Sequence, residues 1–156
     1  MVNASPLIVL TRIGRAPLLT ALCERLVIPA STAEEVLRGD ARDPSVRWLR
    51  EAGQRFIEED APLTPEISAW DLGQGETAVL AWAHHHPGYE AVLDDRAARN
   101  CAIALGIPVR GTLGMLLLAK KTGLIERVEP VLEEVMAAGL YVHDHLRAAV
   151  LRRAGE

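Results

Sequence analysis

The chain has 156 residues, 49% of them hydrophobic and 24% charged, which predicts a single folded domain over 1–156 with a core of its own. Its formal net charge of −4 argues against a protein that coats nucleic acid through overall positive charge. That net charge still allows a local basic groove, or a site that holds a phosphate through a metal ion. Aromatic residues make up only 4% of the chain, which argues against a sheet whose aromatic surface stacks RNA bases.

The cysteines and the apolar runs predict the compartment. Cys23 and Cys101 lie far apart, form no Cys-x-x-Cys pair, and each falls on a predicted apolar helix face. We therefore expect reduced, buried thiols in a cytoplasmic protein. The longest apolar run, 114–119, is too short to cross a membrane, and the chain shows no signal-peptide pattern, so we expect no membrane association.

Short apolar segments alternate with helical patterns along the chain. The first half of the chain predicts a strand at 1–2, helices at 7–13 and 17–24, a strand at 25–28 ended by Pro29, and a helix to 37 capped by Ser31 or Thr32. A helix at 45–53, a strand at 55–58 and a loop at 61–65 follow. The second half predicts a helix at 75–86, a strand at 89–93, a helix at 95–106, an edge strand at 107–110, and helices at 112–122, 126–138 and 143–153. This alternation predicts an α/β fold in which a mostly parallel sheet is covered by helices on both faces.

Several polar residues fall at the ends of predicted strands or on the helices that follow them. They are Asn3, Ser5, Glu34, Glu35, Glu76, Asp94 and Asp95. In a right-handed parallel arrangement these elements begin at one edge of the sheet, where open α/β sheets bind ligands. Carboxylates that converge there repel one another unless a cation holds them together, and Mg²⁺ or Mn²⁺ suits oxygen ligands.

The Asp94-Asp95 pair ends the apolar run 91–93 and opens a helical stretch. One interpretation is a site for a hard cation and, through it, a phosphate. The other is an acidic N-cap and first helical turn, which the helix dipole favours. The pair alone does not decide between them.

Glu76 lies on an apolar helix stripe, since its neighbours one turn further on include Val79 and Leu80. A carboxylate there costs folding energy unless it is paired or bound to a ligand. The alternative is a glutamate at a helix start whose side chain bends towards water. On the earlier helix, Glu34 lies nearer the border of the apolar stripe and Glu35 lies almost opposite, and solvation explains either one.

Seven segments in a fixed order carry a family resemblance. They lie at 2–8, 28–36, 72–77, 93–99, 104–106, 111–120 and 151–156, and include Leu-Gly-Gln-Gly-Glu-Thr at 72–77 and Leu-Asp-Asp-Arg-Ala-Ala-Arg at 93–99. Each motif alone occurs by chance. Together they resemble a PIN-like family of prokaryotic nucleic-acid-binding proteins, related to the toxin ribonucleases of toxin–antitoxin pairs. The resemblance covers nearly the whole chain.

The resemblance implies a three-layer α/β/α sandwich and a Mg²⁺- or Mn²⁺-dependent acidic site that cleaves single-stranded RNA. It places metal binding and catalysis on four carboxylates and adds one amide as a metal ligand: Glu35, Glu76, Asp94, Asp95 and Asn3. The helix face favours Glu34, but the family's Ile-Pro-x-x-x-x-x-Glu-Val spacing falls on Glu35.

Other residues receive supporting roles from the same resemblance. Ser5 and Thr112 are candidates for bonding a metal-bound water, or for capping the helices that follow. Arg96, Arg99 and Lys120 are candidates for holding the RNA backbone, with salt bridges or solvation as the alternative.

The main departure from the family pattern is Asn3, because PIN nucleases generally carry Asp there. Asn offers a neutral carbonyl oxygen, so a metal can still coordinate while its affinity and its activation of water weaken. The competing interpretation is a PIN-like module that binds RNA or a protein without cutting. The resemblance also suggests a small antitoxin as partner, and the apolar helices 113–121 and 128–138 suggest a homodimer face as an alternative to core packing.

Three consecutive histidines, 84–86, invite a zinc interpretation. Consecutive helical residues point about 100° apart, so three in a row do not readily share one metal. The Pro87-Gly88 pair that follows favours an exposed helix end instead. The chain also lacks a Gly-Lys-Ser/Thr loop and a dinucleotide fingerprint, which disfavours nucleotide-cofactor chemistry.

Overall fold

The computed structural model describes residues 1–156 and contains ten α-helices and four short strands. The helices are α1 (Ala4–Arg12), α2 (Pro17–Ala21), α3 (Ala30–Leu37), α4 (Pro44–Trp48), α5 (Pro65–Ser68), α6 (Gln74–His85), α7 (Arg96–Ala104), α8 (Thr112–Lys121), α9 (Val128–Ala137) and α10 (Asp144–Ala154). The strands are β1 (Ile28–Pro29), β2 (Ile57–Glu58), β3 (Ala91–Val92) and β4 (Val109–Arg110). The mixed α/β class predicted from the alternation is therefore confirmed.

The strands form two small parallel pairs. In the first, β1 pairs with β2 so that Ile28 lies opposite Ile57; in the second, β3 pairs with β4 so that Ala91 lies opposite Val109. The N-terminal segment lies between the pairs, since the Val2 amide donates to the Val27 carbonyl at 3.1 Å and the Asn3 amide donates to the Val92 carbonyl at 3.1 Å. This segment is the predicted strand stub, and it links the two pairs. β4 pairs with β3 alone, as expected for an edge strand.

Two apolar cores lie against these strands. The larger core is built from α1, α8 and α9, with Leu10, Leu116 and Leu132 fully buried; the smaller core is built mainly from α6 and α7 and includes Leu80. Neighbouring strand residues belong to different cores, since Met1 joins the smaller core and Val2 the larger. Side chains that alternate in this way indicate strands covered on both faces.

The start of α3 differs from its prediction. The helix begins at Ala30 with Pro29 in the N-cap position, so neither Ser31 nor Thr32 caps it. Ser31 instead donates from its amide and its hydroxyl to Asp60. Pro29 also does not stop the strand, since it lies in β1 opposite Glu58. A pair of two-residue strands contains few backbone hydrogen bonds, so a residue without an N–H is tolerated there.

The predicted helix 45–53 is α-helical only in its first half. Asp43 caps α4 by accepting from the Ser45 amide, and after Trp48 the chain continues as a π-helical turn, Leu49–Gly53. The Trp48 ring lies over Gly53, where a Cβ would come within 2.7 Å of Cζ3. The lack of a side chain at Gly53 therefore leaves room for the Trp48 ring at the end of the π-helical turn. The short helix α5 was also missed, since the predicted loop runs into it at Pro65.

The cysteine prediction holds for one residue only. Cys101 is buried and Cys23 is exposed, and both thiols are free. The reason is that α2 ends at Ala21, so the apolar helix face expected beneath Cys23 does not form. None of the helices is both long enough and apolar enough to cross a membrane.

Candidate active site

Three side chains from separate elements meet at the start of α6. A Cβ at Gly75 would overlap Oε2 of Glu35 and lie 2.8 Å from Oδ1 of Asn3, while the carboxylate of Glu76 lies against Gly73. The Asn3 side chain also donates from Nδ2 to Oε1 of Glu76 at 2.9 Å. The end of the N-terminal segment, α3 and α6 thus bring Asn3, Glu35 and Glu76 together, and the absence of a side chain at Gly75 makes room for the first two. We call these three residues the acidic cluster.

The buried amide of Asn3 has an unused acceptor. Asn3 is only 2% exposed, and its Oδ1 accepts no hydrogen bond. A buried polar atom without a partner costs free energy, so its persistence calls for an explanation such as an ion. This oxygen lies beside the Glu35 carboxylate, so a cation there would be attracted by both groups.

The electrostatics of Glu35 differ from those of an ordinary surface glutamate. Burial raises its pKa, and the nearby charge of Glu76 raises it further, while Arg38 acts in the opposite direction. Glu34 and Glu35 are both exposed residues, but the Glu34 carboxylate lies 4.0 Å from Arg38 whereas the Glu35 carboxylate faces Gly75. The structure therefore places Glu35, and not Glu34, in the cluster, in agreement with the family spacing.

Asp94 follows β3 and is held by the start of α8. It accepts from the Thr112 amide at 2.7 Å and from the Thr112 hydroxyl at 2.6 Å. Thr112 is fully buried, so this contact fixes the carboxylate. Gly111 permits the approach, since a Cβ there would lie 2.9 Å from Oδ1 of Asp94 and 2.6 Å from Nη1 of Arg99. The role that sequence reasoning gave to Thr112, towards a bound water, is here a contact with Asp94.

Asp95 serves as the N-cap of α7. Its side chain accepts from the Ala98 amide at 2.8 Å, and the residue is exposed. This is the capping interpretation of the Asp94-Asp95 pair, and it leaves the predicted metal role of Asp95 as a prediction. Ser5 is exposed on the first turn of α1.

The oxygen donors of the acidic cluster suit a hard cation in chemical type. Glu35 and Glu76 supply carboxylates, and Asn3 supplies a buried carbonyl oxygen without a partner. Mg²⁺ and Mn²⁺ prefer such ligands, and Mg²⁺ completes its shell with water. The structure brings together no group of three or more His, Cys, Asp or Glu side chains that could hold a metal ion. The fit therefore depends on the amide of Asn3 as the third donor.

The predicted RNA-binding cations lie in three settings. Arg99 donates from Nη1 to the Leu93 carbonyl at 3.2 Å, beside Asp94. Arg96 is exposed at the start of α7. Lys120, near the end of α8, forms an ion pair with Glu156 at 2.6 Å, and this contact together with the Val128 and Glu129 amides lowers the pKa of Glu156 to about 2. Their roles towards RNA stay predictions.

The steric role of Gly75 was missed by sequence reasoning, although the Gly-Gln-Gly-Glu pattern was available as a signal. In the histidine run, His86 stacks on Trp82 with ring centroids 3.7 Å apart, and Nε2 of His85 is 2.9 Å from the Pro62 carbonyl oxygen. Packing contacts thus engage two of the three rings separately.

Comparison with known families agrees with this geometry. The model of the PIN-domain family DUF3368 matches residues 1–156, the full length of the chain. No curated protein and no solved structure matches it. The chain therefore belongs to the PIN-domain family.

Proposed function

We propose that this protein is a Mg²⁺- or Mn²⁺-dependent endoribonuclease of PIN type that cleaves single-stranded RNA. The observation that carries the proposal is the position of Asn3 between the two carboxylates: it shares the space at Gly75 with Glu35 and donates to Glu76, with its buried Oδ1 left unpartnered. The proposal includes the family's three-layer α/β/α sandwich around one central sheet, a cytoplasmic location and a homodimer.

The residues of the chain would divide the work as follows. Asn3, Glu35 and Glu76 would hold the ion, with Asp94 and Asp95 at the adjoining end of β3 as further oxygen donors. A bound Mg²⁺ or Mn²⁺ supplies Lewis-acid stabilisation of phosphate charge and a more acidic water. Thr112 keeps Asp94 in one orientation through two hydrogen bonds, and the amide of Asn3 does the same for Glu76. Arg99, beside Asp94, is placed to contact a phosphate oxygen.

Charge removal within the cluster tests the proposal. We expect Glu76→Gln and Glu35→Gln each to lower Mn²⁺-dependent cleavage of a short single-stranded RNA by about 10- to 100-fold or more, since ligand-supporting groups alone are worth that much. Glu34→Gln is the matched control, because it removes the same charge from an exposed neighbour on α3. Initial cleavage rates with Mn²⁺ and with EDTA provide the measurement. Equal rates for the parent and Glu76→Gln, with contaminating nuclease excluded, would show the proposal to be wrong.

A second candidate function is a PIN-like module that binds RNA or a protein without cutting. It is favoured by the amide at position 3 and by the lack of an assembled group of three carboxylates. Calorimetric titration of Mn²⁺ into the parent and into an Asp94→Asn/Asp95→Asn double variant distinguishes the nuclease from the binding module. Binding that is lost in the variant supports the nuclease, whereas RNA binding without any Mn²⁺ binding supports the module.

The toxin role is the most specific part of the proposal. It follows from the kinship of PIN domains with toxin ribonucleases that the sequence motifs suggest. A toxin would slow growth when expressed alone, and a small antitoxin encoded beside it would relieve the effect. Growth unaffected by expression of an active nuclease would remove the toxin role while leaving the cleavage proposal intact.

A further inference from the structure

A continuous groove begins beside Asp94 and runs along α8. One cavity of about 420 Å³ begins at Asp94 and Arg99 and reaches Tyr141. A second cavity of about 670 Å³ reaches Lys121 at the end of α8. The two cavities share four lining residues, Arg110, Gly114, Leu117 and Arg153, so they form one surface feature, which we call the α8 groove.

The α8 groove is strongly cationic in a chain that is acidic overall. Its lining contains Arg99, Arg110, Lys120, Lys121 and Arg153, and Asp94 is its single carboxylate. The whole chain, in contrast, has a formal charge of −4. Glu90 pairs with Arg110 and Glu156 pairs with Lys120, but Lys121 and Arg153 have no carboxylate within ion-pair distance. Arg99 likewise forms no ion pair, so three unpaired cations line the groove.

Arg110, the lining cation that pairs with Glu90, lies against α8 at Gly114. A Cβ at Gly114 would lie 2.8 Å from Cγ of Arg110, so the glycine allows the arginine to lie against α8. Arg110 is the last residue of the edge strand β4. The edge strand β4 and the helix α8 therefore approach each other closely at the groove.

The end of the groove near Asp94 has an aromatic and apolar wall. Tyr141 is 81% exposed at its rim, an unusual position for a large ring, and it meets His143 edge-on with centroids 4.8 Å apart. Leu146, 45% exposed, and Val150 continue this wall on α10. One open ring face beside an apolar wall is suited to stacking a nucleobase, which requires no aromatic sheet surface.

We propose that the α8 groove seats the RNA strand on one side of the scissile phosphate, with Tyr141 stacking a base and Lys121 and Arg153 binding backbone phosphates. This inference rests on the proposed function for the identity of the ligand. RNA is favoured over an acidic protein segment because the groove starts at the candidate phosphate site. The same groove also presents an exposed ring, an apolar wall and unpaired cations, which suit a base and its neighbouring phosphates.

The test measures binding without cleavage. Fluorescence anisotropy with a labelled mixed-sequence oligoribonucleotide in EDTA reports the groove while the metal-dependent reaction is off. The groove variant is Lys121→Gln/Arg153→Gln. Its matched control is Arg50→Gln/Arg152→Gln, which removes the same charge from exposed positions outside the groove.

We expect the groove variant to bind RNA about tenfold or more weakly and to show a salt dependence reduced by about 1.4, since each lost phosphate contact on a single strand contributes about 0.7 to that slope. The control should match the parent. Tyr141→Ala should weaken binding by about fivefold or more, whereas Tyr141→Phe, which keeps the ring, should bind like the parent. Circular dichroism of each variant checks that its fold is retained.

Two outcomes overturn the inference, and a third separates it from the nuclease proposal. Equal losses in the groove and control variants would mean that RNA responds to overall charge alone. No RNA binding by the parent, together with groove-dependent capture of an acidic protein, would assign the groove to a protein partner. Groove-dependent RNA binding by a protein that never cleaves RNA would confirm this inference while removing the nuclease proposal, so the two fail separately.

Discussion

At the scale of single residues, the decisive feature is the amide of Asn3 among carboxylates. Its Nδ2 donates to Glu76, and its Oδ1 points at no donor while lying near Glu35. An aspartate in the same place would lose the donated hydrogen bond and add a third negative charge. The amide therefore reduces repulsion within the cluster in the absence of metal, at the expense of charge that would attract a cation.

The Asn3→Asp variant tests this balance. We expect its metal-free form to be less stable than the parent by about 1–3 kcal/mol, because a buried hydrogen bond is lost and carboxylates face one another. We also expect Mn²⁺ to raise its melting temperature by more than it raises that of the parent, since ligand binding to the folded state alone stabilises it. Thermal unfolding with EDTA and across a Mn²⁺ series measures both effects.

Asn100→Asp provides the control for position 3. It makes the same change at an exposed site on α7, where surface substitutions alter stability by about 0.5 kcal/mol or less. A Mn²⁺ response of Asn3→Asp no larger than that of the control would show that position 3 takes no part in metal binding.

At the scale of elements, helix starts in this protein are fixed by acidic side chains from elsewhere as well as by local caps. Asp95 caps its own helix, α7, while Asp94 binds the start of α8 and Glu156 accepts from the Val128 and Glu129 amides at the start of α9. A carboxylate at these positions satisfies free amide groups and complements the helix dipole. The long-range caps therefore join elements that are distant in sequence.

The start of α4 gives the clearest test at this scale. Burial opposes the ionisation of Asp43, but hydrogen bonds from Arg12 and Ser45 outweigh it and lower the pKa of Asp43 to about 2. We expect Asp43→Ala to reduce the free energy of unfolding by about 1–2 kcal/mol at neutral pH, the usual effect of losing an N-cap. Urea unfolding at several pH values provides the measurement.

The pH dependence of this effect has a definite sign. Because the folded pKa of Asp43 is below the unfolded value of about 3.9, its ionised form stabilises the protein above that value, and the contribution is lost as the pH falls towards about 2. Asp43→Asn keeps a capping oxygen and removes the charge, so at neutral pH it should be less stable than the parent, more stable than Asp43→Ala, and without the loss of stability between about pH 3.9 and 2. An Asn variant as unstable as the Ala variant would contradict the capping explanation.

At the scale of the whole molecule, the N-terminal segment connects two cores. Met1 belongs to the core beside α6 and Val2 to the core beside α8, and the backbone of Met1–Asn3 bonds to both strand pairs. Loss of packing in one core therefore disturbs the strands that the other core covers. We infer that the two cores unfold together, as expected for one domain.

Truncation of one leucine in each core tests this coupling. Leu80 and Leu116 are both fully buried, one in each core, and we expect Leu80→Ala and Leu116→Ala each to cost about 2–5 kcal/mol. Each variant should still show a single calorimetric transition, at a lower temperature than the parent. A separate early transition in one variant only would divide the chain into two independently folding units.

Periodicity and turn residues were sufficient to predict the class of fold and most of the helices. The apolar alternation and the ordered motifs indicated an α/β protein of the PIN family, and the family spacing selected Glu35. These features are local, because hydrophobic period and capping residues act within a few turns of the chain. They failed at α4 and its continuation, where the helix continues as a π-helical turn with the Trp48 ring over Gly53.

Tertiary structure alone decided which side chains meet. Gly75 admits the carboxylate of Glu35 and the amide of Asn3 because α6 approaches both, and Thr112 turns Asp94 towards the start of α8. The α8 groove likewise joins Tyr141 to Lys121 and Arg153 across long stretches of sequence. The amino-acid sequence by itself determined the elements and the supply of acidic and basic residues, since those depend on local pattern and composition. Their distances, burial and partners were decided by packing between elements, because only the folded chain sets which groups lose water and which groups they face.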